Sequence, residues 1–414
     1  MKKLLIIGLI ILLVAVGASV MTGRVFQKQL VNLEAEISKD PRFEAVSNNI
    51  NTGLFSSSGS VTVAMYLADN QQLIIENPWQ ASHFPGWVNY QGQTLLTLEV
   101  DGQEAINLLE ELNLSSLEYQ GKADWKKATF SMFVEPFLFE DEYAKVEMSG
   151  IDLAGTYHYS GRQVGKLMTK NLALLEKGYE TASLKFEELA LSWDQVSNYP
   201  FVQGGAELMA DHIYFSSPQG KVELGNPSWS QELDFNEQNF DYLMSLDLGD
   251  IKSQGENIGT AKFSLKTANF NGQAVADLLA LMAGNSAYEQ MDAATTQAIV
   301  AAVDKLLGGS PALILNDFKL NVHTPFTFEQ EATGRLSFDG SNLPINYLQQ
   351  LDEGRLNSDD ALSRTRLELN FNKIDPGLLM LVGIPPSMLN TASDEQKLVF
   401  EAGKLKLNGQ PLPF

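Results

Sequence analysis

The chain has 414 residues, of which 44% are hydrophobic and 19% are charged; it contains no cysteine and carries a formal net charge of −22. This length fits two or three domains or one long β-rich body. The lack of cysteine excludes disulfide scaffolds, CxxC redox motifs and thiolate metal sites. The acidic balance argues against nucleic acid as a partner, because neutralising phosphates requires clustered Lys and Arg.

The N-terminus carries a hydrophobic segment. Two lysines precede residues 4–21, a run without charged residues, Pro, Asn or Gln. As a helix this run would span about 27 Å, close to the roughly 30 Å of a bilayer core. The lysines keep the N-terminus cytoplasmic. The pattern predicts a signal anchor over 1–24 in a bacterial inner membrane, with the rest in the periplasm. A cleaved signal peptide, with a weak site among the small residues of 15–18, and a buried soluble helix are the alternatives.

A stalk and a β-rich body follow the anchor. Residues 25–41 show helical periodicity ended by Pro41, which predicts a helical stalk. Apolar and polar residues then alternate with period two along residues 42–414, as is typical of antiparallel sheets buried on one face. The predicted fold class is therefore α+β: a mostly antiparallel, extended β-sheet body with a few packed helices, divided into sub-domains of about 42–250 and 251–414. The clearest predicted strands are 61–67, 96–100, 130–134, 153–159, 184–193, 208–215, 243–248, 261–268, 313–322, 326–338, 367–371 and 398–407.

Helical patterns interrupt the alternation at a few places. Residues 165–178 place four apolar residues on one helical face, and residues 287–307 do the same before a Gly-Gly-Ser-Pro stop. The apolar segment 378–386 is too short to span a bilayer and predicts a buried helical turn. Shorter helices are expected to start near Gln103, Gln273 and Leu343.

One local pattern recurs four times: a strand runs into Asn-Gly or Asp-Gly. The pairs lie at 101–102, 271–272, 339–340 and 408–409. Asn and Asp tolerate left-handed backbone and Gly adopts it freely, so each pair predicts a tight turn. Helix-like segments follow the first three pairs. The recurrence indicates either common turn chemistry in a β-rich chain or a duplicated β–turn–α unit.

Several segments together resemble the YdgA family of bacterial inner-membrane proteins. The similarity comprises the anchor and stalk, Gly-Leu-Phe-Ser-Ser at 53–57, residues 257–274, and the Gly-Lys-Leu-Lys-Leu-Asn-Gly run at 403–409. Family members often carry a His-Gly-Pro-Phe-Pro-like segment where this chain has residues 82–87, Ser-His-Phe-Pro-Gly-Trp. The resemblance implies an envelope protein that self-associates, as a homodimer, and it assigns no chemistry. The strand–Asn-Gly pattern is also similar to AsmA-like proteins with proposed lipid-handling grooves.

Catalytic and metal-binding motifs are absent from the sequence. The four histidines, His83, His158, His212 and His323, are too far apart for His-x-His or HExxH spacings. Gly-x-Ser-x-Gly does not occur, and the loop-like run 161–167 has the wrong glycine spacing for a phosphate loop. The acidic clusters are typical of solvated surface. The sequence thus predicts no catalytic residue, no cofactor and no metal site.

Aromatic residues crowd one loop-like, proline-containing region. Trp79, His83, Phe84, Trp87 and Tyr90 lie within twelve positions there. Exposed aromatics often mark binding surfaces, so these five residues are the predicted partner or ligand surface. The alternative is a satellite core beneath a long loop.

Three functions are compatible with these observations. The leading hypothesis is a non-enzymatic, membrane-anchored envelope protein that binds a partner or forms a homodimer. The second is binding or transport of lipid or another amphipathic ligand in an open, apolar sheet groove. The third is a carboxylate-dependent hydrolase of cell-wall glycans, which requires a cleft holding two acidic residues in different environments.

Overall fold

The computed structural model describes residues 2–40, 42–68, 71–100, 105–114, 116–177, 182–198, 200–283, 292–323, 327–372 and 395–412. The chain divides into two compact units, Met1–Pro200 and Phe201–Phe414. The sequence placed a boundary near residue 250 instead. In the structure that residue lies inside a strand, and the division follows Pro200.

Unit 1 is a long N-terminal helix followed by an antiparallel sheet. Its elements, in chain order, are α1 (Lys2–Ile37), β1 (Phe43–Thr52), β2 (Ser56–Ala68), β3 (Gln71–Phe84), β4 (Trp87–Val100), β5 (Ile106–Asn107), α2 (Leu108–Glu111), β6 (Leu117–Ala123), β7 (Lys127–Val134), β8 (Phe137–Glu140), β9 (Ala144–Met148), β10 (Ile151–His158), β11 (Arg162–Glu176) and β12 (Ser183–Asn198). Adjacent pairings run β1–β2–β3–β4–β6–β7–β10–β11–β12, all antiparallel. The short β9 pairs with the second half of β11, and β8 pairs with β9.

Glycines opposite aromatic rings shape the inner face of this sheet. Gly59 is the cross-strand partner of Trp79, whose ring lies over the glycine, and a Cβ added there would come within 2.9 Å of the indole. Gly121 stands in the same relation to Tyr90. Large rings on one strand therefore fill the space that glycines leave on the next. The same arrangement recurs at Gly92 with Tyr119, Gly155 with Phe130 and Gly165 with Trp193.

Helix α1 packs on this face over β1, β3 and β4. Phe26 is its main anchor, and the core cluster around it comprises Phe26, Trp79, Ala81, Val88 and Ala123. Among the residues whose side chains are described, no helix is both long and apolar enough to cross a membrane. The predicted membrane segment, residues 4–21, lies mostly outside those residues.

Unit 2 is a second antiparallel sheet with helices inserted between strands. Its elements are β13 (Phe201–Met209), β14 (His212–Ser217), β15 (Gly220–Gly225), β16 (Ser228–Phe235), β17 (Asn239–Ser253), β18 (Glu256–Ala268), β19 (Phe270–Asn271), α3 (Gly272–Ala283), α4 (Ala293–Gly308), β20 (Ala312–Val322), β21 (Phe328–Phe338), α5 (Tyr347–Asp352), α6 (Ser358–Arg364), β22 (Thr365–Asn372), β23 (Glu395–Glu401), β24 (Lys404–Leu407) and β25 (Gln410–Pro411). The pairings run β17–β18–β20–β21–β22–β23–β24–β25. On the other edge of β17 lie β15 and β16, which pair with β14 and β13.

The structure confirms the predicted α+β class with a mostly antiparallel sheet. Helix α4 overlaps predicted helix 287–307 and ends one residue beyond it, and α3 begins near Gln273 as expected. The helix predicted over 165–178 is wrong, because residues 165–176 belong to β11. That strand pairs with β9 and β10 on one edge and β12 on the other, so long-range pairing overrides the local helical pattern.

Two predicted strands are each interrupted by a turn. Residues 208–215 contain the end of β13 and most of β14, and residues 398–407 form the β23–β24 hairpin. Ala402 and Gly403 turn that hairpin with φ of 52° and 72°. Asn408 and Gly409 turn the next one, as their sequence predicts. The predicted helical turn at 378–386 and the Asp-Gly pair at 101–102 lie outside the described residues.

Candidate functional site

The five residues predicted as a partner surface lie on a β-hairpin rather than in a loop. Trp79, His83 and Phe84 belong to β3, and Trp87 and Tyr90 belong to β4. Pro78 and Pro85 made this segment look like a loop in the sequence. In the structure, Pro85 and Gly86 form a two-residue turn that keeps both strands in register. Because successive side chains of a strand point to opposite faces, the five residues separate into two groups.

Trp79 and Tyr90 point inward and pack against helix α1. The ring of Phe26 stacks on Tyr90 with centroids 5.6 Å apart and meets Trp79 edge-on at 5.7 Å. Trp79 is buried, and burial raises the pKa of the Tyr90 phenol far above its ordinary value. The Tyr90 hydroxyl donates a hydrogen bond to the Thr129 carbonyl oxygen at 2.8 Å. These two side chains hold the helix onto the sheet.

His83 is buried beside them, under α1. Its Nε2 lies 2.8 Å from the hydroxyl oxygen of Ser57, and its Nδ1 is buried without a hydrogen-bond partner. Burial lowers the pKa of the His83 imidazole, which favours the neutral ring. A Cβ added at Gly23 of α1 would lie 2.3 Å from Nδ1, so the helix backbone covers the ring. The Ser–His pair therefore has a packing role in a place that the helix closes.

Phe84 and Trp87 point outward at the turn. Their rings stack at 5.3 Å with an interplanar angle of 13°, and 38% and 37% of their surfaces remain exposed. The Lys122 ammonium lies 4.8 Å from the centroid of the Trp87 ring, within cation–π range. This pair is the part of the predicted surface that stays accessible.

The face of the unit 1 sheet opposite helix α1 is concave. Two adjoining hollows, of about 1100 and 1150 Å³, lie over β1, β2, β3, β4, β6 and β7, and the second also reaches β10 and β11. Both are lined by the same cross-strand row, which we call the polar trough: Asn51, Ser58, Gln80, Gln91, Gln120 and Ser131. Each residue of the row is the direct register partner of the next, so the trough crosses six strands.

The six side chains of the trough are polar and uncharged; Lys122 lines the first hollow beside them, and Glu118, Glu135, Asp152 and Lys166 line the second. The side chains of Gln80, Gln91 and Gln120 are exposed, and among the described residues none of the three hydrogen-bonds another side chain. Each amide offers two donors and an acceptor oxygen. Phe133, 52% exposed, lines one hollow, and its ring offers an apolar platform beside the amides. This donor set suits a neutral ligand rich in hydroxyl groups.

The polar face of unit 2 provides an internal comparison. There a cross-strand row reads Asp247, Lys262, Lys319 and Glu331. Lys262 pairs with Asp247 at 2.5 Å, and Lys319 lies 3.8 Å from Glu331. This row of unit 2 thus has an acidic side chain at each end and two lysines between them, whereas the six residues of the trough are uncharged.

The other face of unit 2 carries an apolar band. Its side chains are mostly half-buried, with Leu407 and Ala332 fully buried at one side. The band consists of two adjacent cross-strand rows. The first row contains Leu246, Phe263, Phe318, Ala332 and Phe371. The second row contains Met244, Leu265, Leu315, Gly334, Leu369, Leu398 and Leu407.

Other candidate chemistry is dispersed. His158 and His212 lie in strands as predicted, and His323 directly follows β20. Within the described ranges, no group of three His, Asp or Glu side chains could hold a metal ion. Glu118 and Asp152 line the second hollow of the trough face, one strand apart on either side of β7.

Sequence reasoning missed the trough because its residues are up to 80 positions apart. Only the pairing register brings Asn51 and Ser131 into one row. A local signal did exist: uncharged polar residues recur with period two at 49–51, 56–60 and 89–93. Such runs on consecutive strands indicate a neutral face.

The chain is thus an α+β protein whose long helix packs on one face of a sheet, and the opposite face of that sheet carries a row of uncharged polar side chains. A bacterial family, described as bacterial protein of unknown function (DUF945), matches residues 1–84 and 115–324. The chain belongs to this family, and the YdgA-like resemblance is confirmed. No curated protein and no solved structure matches the chain.

Proposed function

We propose that the protein is a membrane-anchored, periplasmic binding protein of the bacterial envelope. Residues 4–21 would cross the inner membrane with the N-terminus in the cytoplasm. Support comes from their apolar sequence and from the 36-residue helix α1, which continues into the stalk segment without interruption. The anchor and the binding body would then be one rigid piece, because Phe26 and Thr22 belong to the helix and are buried in unit 1.

The polar trough is the proposed binding surface. Its ligand would be a neutral, hydroxyl-rich polymer, that is, a polysaccharide. The observation that carries this proposal is the row of uncharged amide and hydroxyl side chains across six strands, which contrasts with the charged row Asp247, Lys262, Lys319 and Glu331 of unit 2. Free amides can replace the hydrogen bonds that sugar hydroxyls lose from water. At about 4.8 Å per strand the row extends roughly 24 Å, enough for several sugar rings.

Binding rather than catalysis is proposed. The buried Ser57–His83 pair has no carboxylate partner among its hydrogen bonds and is covered by α1. Glu118, Glu135 and Asp152 line the second hollow and are the acidic residues that a hydrolytic reaction there would use. Cleavage is therefore an outcome that the binding experiment must detect.

The experiment is a sedimentation assay of the full chain in detergent with purified peptidoglycan sacculi, and calorimetry with maltoheptaose as a neutral probe. The double variant Gln91→Ala/Gln120→Ala should lose binding. A matched control, Gln163→Ala/Gln219→Ala, changes two exposed glutamines outside the trough and should bind like the parent. Equal binding by both variants would refute the trough, and release of soluble fragments would refute the non-enzymatic assignment.

A second function is favoured by the apolar band of unit 2. We infer that the band could receive an acyl chain or the same band of a second copy, because its rows of Leu and Phe are only half-buried. Native mass spectrometry of protein extracted from membranes separates the two occupants. Copurifying lipid supports the amphipathic ligand, a doubled mass supports the homodimer, and a lipid-free monomer refutes both.

A further inference from the structure

Three neighbouring turns of unit 1 expose large apolar side chains at one end of the sheet. We call these residues the rim: Leu54, Phe55, Phe84, Trp87 and Trp125, which are between 37% and 64% exposed. The β1–β2, β3–β4 and β6–β7 turns lie at the same end because the strands alternate in direction.

The turns of the rim contact one another. The His83 backbone N–H donates a hydrogen bond to the Phe55 carbonyl oxygen at 2.7 Å. The second and third turns are also close to each other, because a Cβ added at Gly86 would lie 3.8 Å from Trp125 Nε1. Five exposed apolar side chains thus form one patch, of the kind that marks an interaction surface.

Helix α1 reaches the sheet at this same end. The Gly86 backbone N–H donates a hydrogen bond to the Thr22 hydroxyl at 3.2 Å. Further along α1, Phe26 packs on Trp79 and Tyr90, and Leu30 packs against the core cluster. The helix therefore runs inward from the rim, and its earlier residues extend toward and past the rim. Thr22 directly follows the apolar run 4–21.

The charge at the rim is opposite to that of the chain. The third turn and its flanks, residues 122–127, carry Lys122, Lys126 and Lys127 against Asp124. The Asp124 carboxylate accepts hydrogen bonds from the backbone N–H groups of Lys126 and Lys127 at 2.7 and 3.0 Å. Residues 52–57 and 82–89 of the other two turns carry no charged side chain. The rim is thus locally basic in a chain of net charge −22.

We propose that the rim inserts into the interfacial layer of the bilayer that α1 crosses. This inference rests on the proposed anchor. Trp and Lys are the residues that favour the headgroup region, where an aromatic ring sits at the boundary and an ammonium reaches lipid phosphate. The hydrogen bond from Gly86 to Thr22 sets the rim at the depth where the apolar run ends. The three turns and helix α1 would then fix the distance between the unit 1 sheet and the bilayer.

The absence of cysteine makes a direct test practical. Single cysteines placed at the exposed positions Leu54, Pro85 and Lys126 would be labelled with the fluorophore NBD in the full chain. Glu111→Cys is the control, since α2 lies at the other end of β4, roughly 33 Å from the turn. After reconstitution in phosphatidylcholine vesicles with shallow doxyl-labelled lipid, the three rim labels should lose fluorescence and shift to the blue, and the label at 111 should not.

Flotation of the same vesicles separates the two proposals. Protein that floats with vesicles after alkaline washing, but whose rim labels are as unquenched as the control, would overturn the rim proposal alone. Protein that does not float would overturn the anchor. Rim labels that are shielded from water yet unaffected by doxyl lipid would show a protein partner instead, which also contradicts this inference.

Discussion

Replacing Gly23 by alanine tests how helix α1 is fastened to unit 1. An added Cβ would lie 2.3 Å from His83 Nδ1 and 2.4 Å from Cε1. The ring has no room to retreat, because it is 4% exposed and its Nε2 lies 2.8 Å from the Ser57 hydroxyl. Either the ring or the helix must move by about 1 Å to restore ordinary van der Waals contact.

The expected cost follows from two opposing effects. Overpacking a filled site typically costs about 1–3 kcal/mol. Alanine in place of a helical glycine returns about 0.5–1 kcal/mol. The net loss of unfolding free energy should therefore be about 1–2 kcal/mol. The neighbouring Arg24→Ala, at an exposed position of the same helix, should stay within about 0.5 kcal/mol of the parent.

The assay is urea unfolding of the full chain in detergent, followed by tryptophan fluorescence. Four of the five tryptophans, at 79, 87, 125 and 193, belong to unit 1, so the signal reports mainly on that unit. In a His83→Ala background the ring is gone, and Gly23→Ala should become neutral or stabilising. A Gly23→Ala protein as stable as the parent, or an unchanged penalty without His83, would refute this account of the contact.

Three further predictions concern pH and a turn. Burial lowers the pKa of His83 below its ordinary value of about 6.5. Its contribution to the free energy of unfolding is therefore complete above pH 6.5 and is lost as the pH falls through the folded-state pKa. The variant His83→Gln should show a smaller decline of the urea denaturation midpoint on the acid side. Burial raises the pKa of Tyr119 to about 12, so its contribution to the free energy of unfolding is lost as the pH rises above about 10. In an absorbance titration of phenolate, Tyr119→Phe should differ from the parent only near pH 12 or upon unfolding. Asn408→Ala should cost about 1–2 kcal/mol in urea unfolding, because it places alanine at φ 52° and removes the hydrogen bond that the Lys397 backbone N–H donates to the asparagine.

The fold class was predictable because strand periodicity is a local property. Alternation along 130–134 or 261–268 appears in the sequence whatever the partner strands are. The segment 165–178 shows the limit, since its apolar residues fit a helical face as well as a strand. Its identity as β11 depends on β9, β10 and β12, which pair with it from outside the segment.

The site was only partly predictable for the same reason. Aromatic crowding identified the β3–β4 hairpin, but which residues are buried depends on helix α1, whose Phe26 covers Trp79 and Tyr90 and leaves Trp87 outside. The polar trough depends on the register of six strands, and no local window contains Gln80 together with Gln120.

The orientation of the proposed membrane anchor, residues 4–21, can be measured with two reporter fusions. A phosphatase that is active only in the periplasm would be fused to the C-terminus of the full chain, and in parallel a fluorescent protein that matures only in the cytoplasm. We expect phosphatase activity, no fluorescence, and a fusion that stays in the membrane pellet after alkaline washing. A fluorescent fusion without phosphatase activity, or a phosphatase released into the soluble fraction, would contradict the proposed anchor.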